Sequence, residues 1–149
     1  ISGVERHGDT LYFGDGDGWV RAVSISRTAL LWEVSTMDLP ELEGLPVPIN
    51  VIQPRPVYSQ GRLYVTCVAG LLVMDAATGK VLWADLSQRS LASPLVIERP
   101  EGAQVVIGQY LDKLVSLSPN CNAAGRGATT LTFLNSPPPP PRPSPPSPP

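Results

Sequence analysis

Short apolar runs separated by glycine-bearing or polar turns fill roughly the first 135 residues, and no long helical period interrupts them. Three segments superimpose when the chain is compared with itself: Leu11 to Ser24, Leu63 to Asp75 and Val105 to Ser118. Each is a β-rich run, a short turn and a second β-rich run, the pattern of a hairpin. A further strand-like piece precedes the second and third hairpins, at Pro56-Val57-Tyr58 and Ser93 to Ile97. Gly3-Val4 is expected mid-strand ahead of the first. Turns at His7-Gly8-Asp9, Gln60-Gly61 and Pro100-Glu101-Gly102 join these pieces to the hairpins. Another strand follows each hairpin: Leu30 to Val34 with Trp32, Val81 to Asp85 with Trp83, and Thr129 to Leu134 with Phe133 and no tryptophan. The prediction is all-β, three units of four antiparallel strands, the sequence signature of propeller blades.

The second unit carries the most specific stretch, Val73-Met74-Asp75-Ala76-Ala77-Thr78-Gly79-Lys80-Val81-Leu82-Trp83. Asp75 and Thr78-Gly79 suit a tight turn, with Gly79 supplying the positive φ. Trp83 offers a large flat side chain for burial. This stretch closely resembles the tryptophan-docking motif of quinoprotein-type β-propellers, Asp-Gly-x-Leu-Tyr-Ala-Leu-Asp-x-x-Thr-Gly-Lys-x-x-Trp. The resemblance spans about residues 3 to 134, good in the second unit, fair in the first (Asp17-Gly18, Trp32) and weaker in the third. It implies that Trp32, Asp75, Thr78, Gly79 and Trp83 dock one blade on the next. Expected blades are 1–34, 56–86 and 93–134 within a domain 1–135, with 35–55 as an insertion on one propeller face. Pro40, Pro46, Pro48 and Pro54 exclude a helix through that insertion. Three blades make an incomplete ring, since propellers close with about four to eight. The missing part is expected from a longer chain, a second copy closing a ring, or copies stacking into a fibril. The start at Ile1 points to a processed or truncated chain.

Residues 136–149 are ten prolines with Ser136, Arg142, Ser144 and Ser147. Proline fixes φ and removes backbone donors, so this tail is expected as a polyproline II rod spanning roughly 43 Å. It resembles the hydroxyproline-rich glycoproteins of plant and green-algal walls. That resemblance implies hydroxylation and O-glycosylation at Pro137, Pro138, Pro139, Pro140, Pro141, Pro143, Pro145, Pro146, Pro148 and Pro149, with Ser144 and Ser147 as further sugar sites. It also implies an extracellular location in a wall, matrix or cell-surface appendage. The competing reading is an intracellular scaffold whose tail, with Arg142 among prolines, binds SH3-, WW- or profilin-like partners. No N-glycosylation sequon occurs, because Asn135-Ser136-Pro137 has proline in the middle's wake where serine and threonine are required.

An oxidising compartment favours a disulfide between Cys67 and Cys121, closing a loop of about 54 residues and contributing about 4 kcal/mol; two buried thiols are the alternative. Asp15-Gly16-Asp17-Gly18 has the alternating carboxylates of a calcium loop, making Asp15 and Asp17 weak metal candidates. It lacks a third acid and a bidentate glutamate, so an ordinary hairpin turn is expected. His7, the one histidine, is expected as an exposed turn residue. Quinoprotein dehydrogenases hold pyrroloquinoline quinone and calcium and typically carry adjacent cysteines, and this sequence has no adjacent pair. No enzyme activity and no cofactor are therefore expected. A net charge of −2 with scattered signs gives no basic stripe for nucleic acid. No run of 18 apolar residues offers a membrane-spanning helix. The expected role is an extracellular structural glycoprotein whose blades self-assemble or bind protein.

Overall fold

The computed structural model describes residues 2–39, 52, 54–68, 70–85, 90–100, 102–109, 113–117 and 129–132, with the backbone alone at 109, 113–117 and 129–132. Among the described residues, twelve strands form three antiparallel sheets, each a simple meander. The first holds β1 (Glu5–His7), β2 (Thr10–Gly14), β3 (Trp19–Ser24) and β4 (Ala29–Ser35). The second holds β5 (Val57–Ser59), β6 (Arg62–Cys67), β7 (Gly70–Asp75) and β8 (Val81–Asp85). The third holds β9 (Leu95–Ile97), β10 (Gln104–Gln109), β11 (Lys113–Leu117) and β12 (Thr129–Thr132). The fold is all-β and its sheets are propeller-like blades. Tight turns set each register: Gln60 (φ 49°) and Gly61 (φ 77°) are both left-handed, which matches the right-handed twist of the strands they join. Gly3 and Val4, expected mid-strand, precede β1, because pairing with β2 begins at Glu5↔Tyr12.

The first strands of successive sheets lie side by side, β1 by β5 and β5 by β9, as blades do about an axis. Side chains alternate across a strand, so each sheet has two faces to bury. Leu63, Val65, Cys67, Leu72 and Met74 of the second sheet pack with Tyr12, Val20 and Ala22 of the first. Tyr64, Leu71 and Val73, the alternate set, pack with Ala103, Val105 and Ile107 of the third. The second sheet is thus buried on both faces. The first is buried on one: Tyr12, Val20, Ala22 and Ser24 are buried, while Leu11, Phe13, Trp19, Arg21 and Val23 are only half-buried.

The expected insertion is not wholly an outlying loop. Ser35 caps a short 3₁₀ turn, Thr36–Asp38, by accepting a hydrogen bond from the Met37 N–H, and Thr36 is buried. Ile52, 1% exposed, belongs to the core between the first two sheets. Its N–H donates to the Asp15 carbonyl at 3.0 Å, and its side chain fills the space a Cβ on Gly14 would need. Ile52→Ala is expected to lower stability by about 2–4 kcal/mol, through lost burial plus the cavity left behind, as read by denaturant unfolding.

Candidate functional site: a docking seam and an open sheet face

The Asp75–Gly79 turn between β7 and β8 is built by one carboxylate. Asp75 Oδ1 accepts from the Ala77 N–H (3.1 Å), the Thr78 N–H (2.8 Å) and the Thr78 hydroxyl (2.8 Å). The Gly79 N–H donates to the Asp75 carbonyl at 2.8 Å, and Gly79 takes φ 75°. Onto this turn sits Trp32 from β4 of the preceding sheet. Its indole N–H donates to the Ala76 carbonyl at 3.1 Å. A Cβ added to Gly79 would lie 2.7 Å from Trp32 Cε3, so glycine here serves both the backbone angle and the close approach. Trp83 of β8 packs on the next core, against the third sheet. Trp32 and Trp83 therefore each point from one sheet toward the next.

The corresponding turn of the first sheet, Ser24 to Thr28, is built differently. Ser24 stands in register where Asp75 stands, paired with Thr10 as Asp75 is with Arg62. The carboxylate comes instead from Asp9. It accepts from the Ser24 hydroxyl (2.7 Å), the Ser26 N–H (2.9 Å) and the Ser26 hydroxyl (2.8 Å). Thr28 takes the place of Gly79 and keeps a left-handed φ of 49°, uncommon for a β-branched residue.

These hydrogen bonds favour the charged forms of two carboxylates. The Ser24 and Ser26 hydroxyls hold Asp9 below the usual carboxylate range, and the Thr78 hydroxyl and N–H do the same for Asp75. A carboxyl with a depressed folded value stabilises the fold above its unfolded value, about pH 4, and loses that contribution as pH falls through the folded one. Thermal unfolding from pH 6 downward should therefore show a loss of melting temperature that begins below about pH 4. In Asp75→Asn that acid-induced loss should be smaller, because one titrating group is gone.

Asp15, a weak calcium candidate, is committed elsewhere. Its Oδ1 accepts from the Asp17 and Trp19 N–H groups, each at 3.0 Å, and its Oδ2 pairs with Arg21 Nη1. Burial opposes its charge, but the bonds from Trp19, Arg21 and Asp17 outweigh that and hold it below the usual range. Asp17 is exposed, and among the described residues no three His, Cys, Asp or Glu side chains gather as for a metal. Asp15 organises a hairpin turn and orients Arg21. Arg21 also donates to Glu33 at 3.0 Å and lies 5.3 Å from the Trp19 ring centroid.

Arg21 marks the first sheet's less buried face. Register places Leu11, Val23 and Leu30 on one rung and Phe13, Arg21 and Glu33 on another. Leu30 is 52% exposed. The face is an apolar surface, crossed by one ion-paired arginine, of the kind the second sheet buries on both sides.

The first strands meet through polar contacts that sequence reasoning did not find. Glu5 accepts from the Tyr58 N–H at 3.3 Å and pairs with Arg55 at 3.6 Å. The Ser59 hydroxyl donates to Glu98 at 2.7 Å, linking β5 to the chain after β9. His7, exposed as expected, stacks on Tyr58 at 3.7 Å between ring centroids. Cys67 is fully buried, and its expected partner Cys121 lies outside the described residues, as do Phe133, the polyproline II expectation and every tail site. In the third sheet the tryptophan's rung belongs to Thr129, not to the neighbourhood of Phe133. Tyr12↔Ala22↔Trp32 and Tyr64↔Val73↔Trp83 correspond to Val106↔Ser116↔Thr129.

The sequence profile of the family described as outer membrane protein assembly factor BamB, a family of PQQ-like repeats, matches residues 16–106. The chain belongs to this family. Solved structures of the same architecture include BamB from Moraxella catarrhalis, at 16% identity and TM-score 0.56, covering 77% of this chain and 32% of that one. A europium-containing methanol dehydrogenase is similar at 20% identity and TM-score 0.62, covering 79% of this chain and 22% of that one. Quinohemoprotein alcohol dehydrogenase from Comamonas testosteroni is similar at 20% identity and TM-score 0.59, covering 80% and 20%. This PQQ-like-repeat chain spans a third or less of the length of those structures. No curated protein matches it.

Proposed function

We propose that the chain is a non-catalytic, extracellular structural glycoprotein: its blades make protein contacts, and its proline-rich tail is a hydroxylated, O-glycosylated spacer or sheath. The observation that carries the contact role is the face formed by Leu11, Phe13, Val23 and Leu30, whose counterparts on the second sheet are buried in a seam. Apolar area left accessible on a sheet face favours association. The non-catalytic reading is supported by the use of Asp9, Asp15 and Asp75 as turn-building acceptors. The extracellular part rests on the tail's resemblance to hydroxyproline-rich wall glycoproteins.

Peptide mass spectrometry of residues 136–149 from native protein tests the compartment. The proposal expects serial increments of hydroxyl oxygen and pentose on the prolines. An unmodified tail together with reduced Cys67 and Cys121 would contradict it and favour the intracellular scaffold.

A further inference from the structure

We propose that Asp17 is a site of spontaneous modification, where its bond to Gly18 becomes an isoaspartyl linkage, and that the fold protects the neighbouring Asp15-Gly16 bond from the same reaction. In an Asp-Gly sequence the glycine nitrogen can attack the side-chain Cγ of the aspartate, because the following residue has no Cβ to hinder the approach. A C–N bond forms, the nitrogen gives up its proton, and the carboxyl hydroxyl leaves as water. The product is a five-membered succinimide. Water then adds back to one of its two carbonyls. Opening at the side-chain carbonyl restores aspartate, and opening at the main-chain carbonyl leaves the chain running through the side chain. No oxidant, enzyme or partner takes part, so the reaction does not depend on the compartment. Asp15-Gly16 and Asp17-Gly18 are the two Asp-Gly bonds of the sequence, and both lie in the turn between β2 and β3.

The structure treats the two carboxyls oppositely. Asp15 Oδ1 accepts from the Asp17 and Trp19 N–H groups and Oδ2 pairs with Arg21, so turning its Cγ onto the Gly16 nitrogen means giving up those partners. The same bonds keep that carboxyl ionised, and a carboxylate is the poorer electrophile. Asp17 is exposed, and among the described residues no donor holds its carboxylate. The Gly18 nitrogen beside it is tied by a long bond, 3.3 Å, to the Asp15 carbonyl. The consequence reaches the core. The Gly18 carbonyl accepts from both the N–H (2.9 Å) and the hydroxyl (2.7 Å) of buried Thr36, and the Asp15 carbonyl accepts from the Ile52 N–H. An isoaspartyl linkage at Asp17 inserts one extra backbone carbon between these two anchors, which hold Thr36 and Ile52 on the first hairpin.

Storage of the full chain at neutral pH, followed by peptide mapping with electron-transfer fragmentation to locate the linkage, tests this. The native chain is expected to accumulate isoaspartate at Asp17 about tenfold or more faster than at Asp15, the factor that giving up a single charge-assisted hydrogen bond carries. In the same chain stored in urea the two rates should converge, since both bonds are then equally free. Asp17→Glu, whose longer side chain would have to close a six-membered ring, should stop the reaction there with an unchanged circular dichroism spectrum. It should also remove the fall in melting temperature expected of the stored wild type. Isoaspartate arising equally at both positions of the native chain, first at Asp15, or at neither, would overturn the assignment. A preference for Asp17 that persists in urea would overturn protection by the fold. A stored wild type that carries the linkage and melts as the fresh protein does would overturn its reach into the core.

Discussion

Gly79→Ala lowers stability by about 2–4 kcal/mol, more than a solvent-facing turn ordinarily costs. Two effects add. The left-handed φ of 75° disfavours any Cβ, by about 1–2 kcal/mol. The new methyl also meets the Trp32 ring at 2.7 Å, which forces the indole off its seat and its hydrogen bond to the Ala76 carbonyl with it. Trp32→Ala costs about 3 kcal/mol by itself, through lost aromatic burial. In that background the cost of Gly79→Ala should fall to the backbone term alone, about 1–2 kcal/mol. Urea unfolding of the four proteins in this cycle measures the coupling. Strict additivity would mean that the ring and the turn do not touch.

Leu72→Ala should cost about 3–5 kcal/mol, and Leu30→Ala less than about 0.5 kcal/mol. Both leucines lie on central or outer strands of a four-stranded sheet with β-type neighbours. They differ in what covers them: Leu72 is 0% exposed in the core between the first two sheets, whereas Leu30 lies on the first sheet's open face. Urea unfolding of the two variants measures the difference.

The docking turn was legible because its chemistry is local. Asp75, Thr78 and Gly79 lie within five positions, and the bonds they make close on themselves. The position of the second sheet was also written in the pattern: Leu63 to Cys67 and Gly70 to Met74 are almost wholly apolar, as a sheet buried on both faces requires. Along Trp19 to Ser24 it is burial and not polarity that alternates, so the structure and not the pattern shows a sheet more deeply buried on one side. What was not legible depended on distance. Asp9 replaces the turn carboxylate from 15 positions before Ser24, through a neighbouring hairpin. Ile52 sits in a proline-rich connection with no period to reveal its burial. The tryptophan rung of the third sheet needs register. The first two sheets shift register at Ala22/Val23 and Val73/Met74, whereas β11 pairs β12 without a shift. Counting along the strand toward Phe133 therefore misses Thr129.

Electron microscopy of the native protein tests the central claim most directly, since it shows what lies against the first sheet. The account predicts a further sheet packed on the face of Phe13, Val23 and Leu30, as the second sheet is packed on both of its faces. That face bare to solvent in the native material would contradict it.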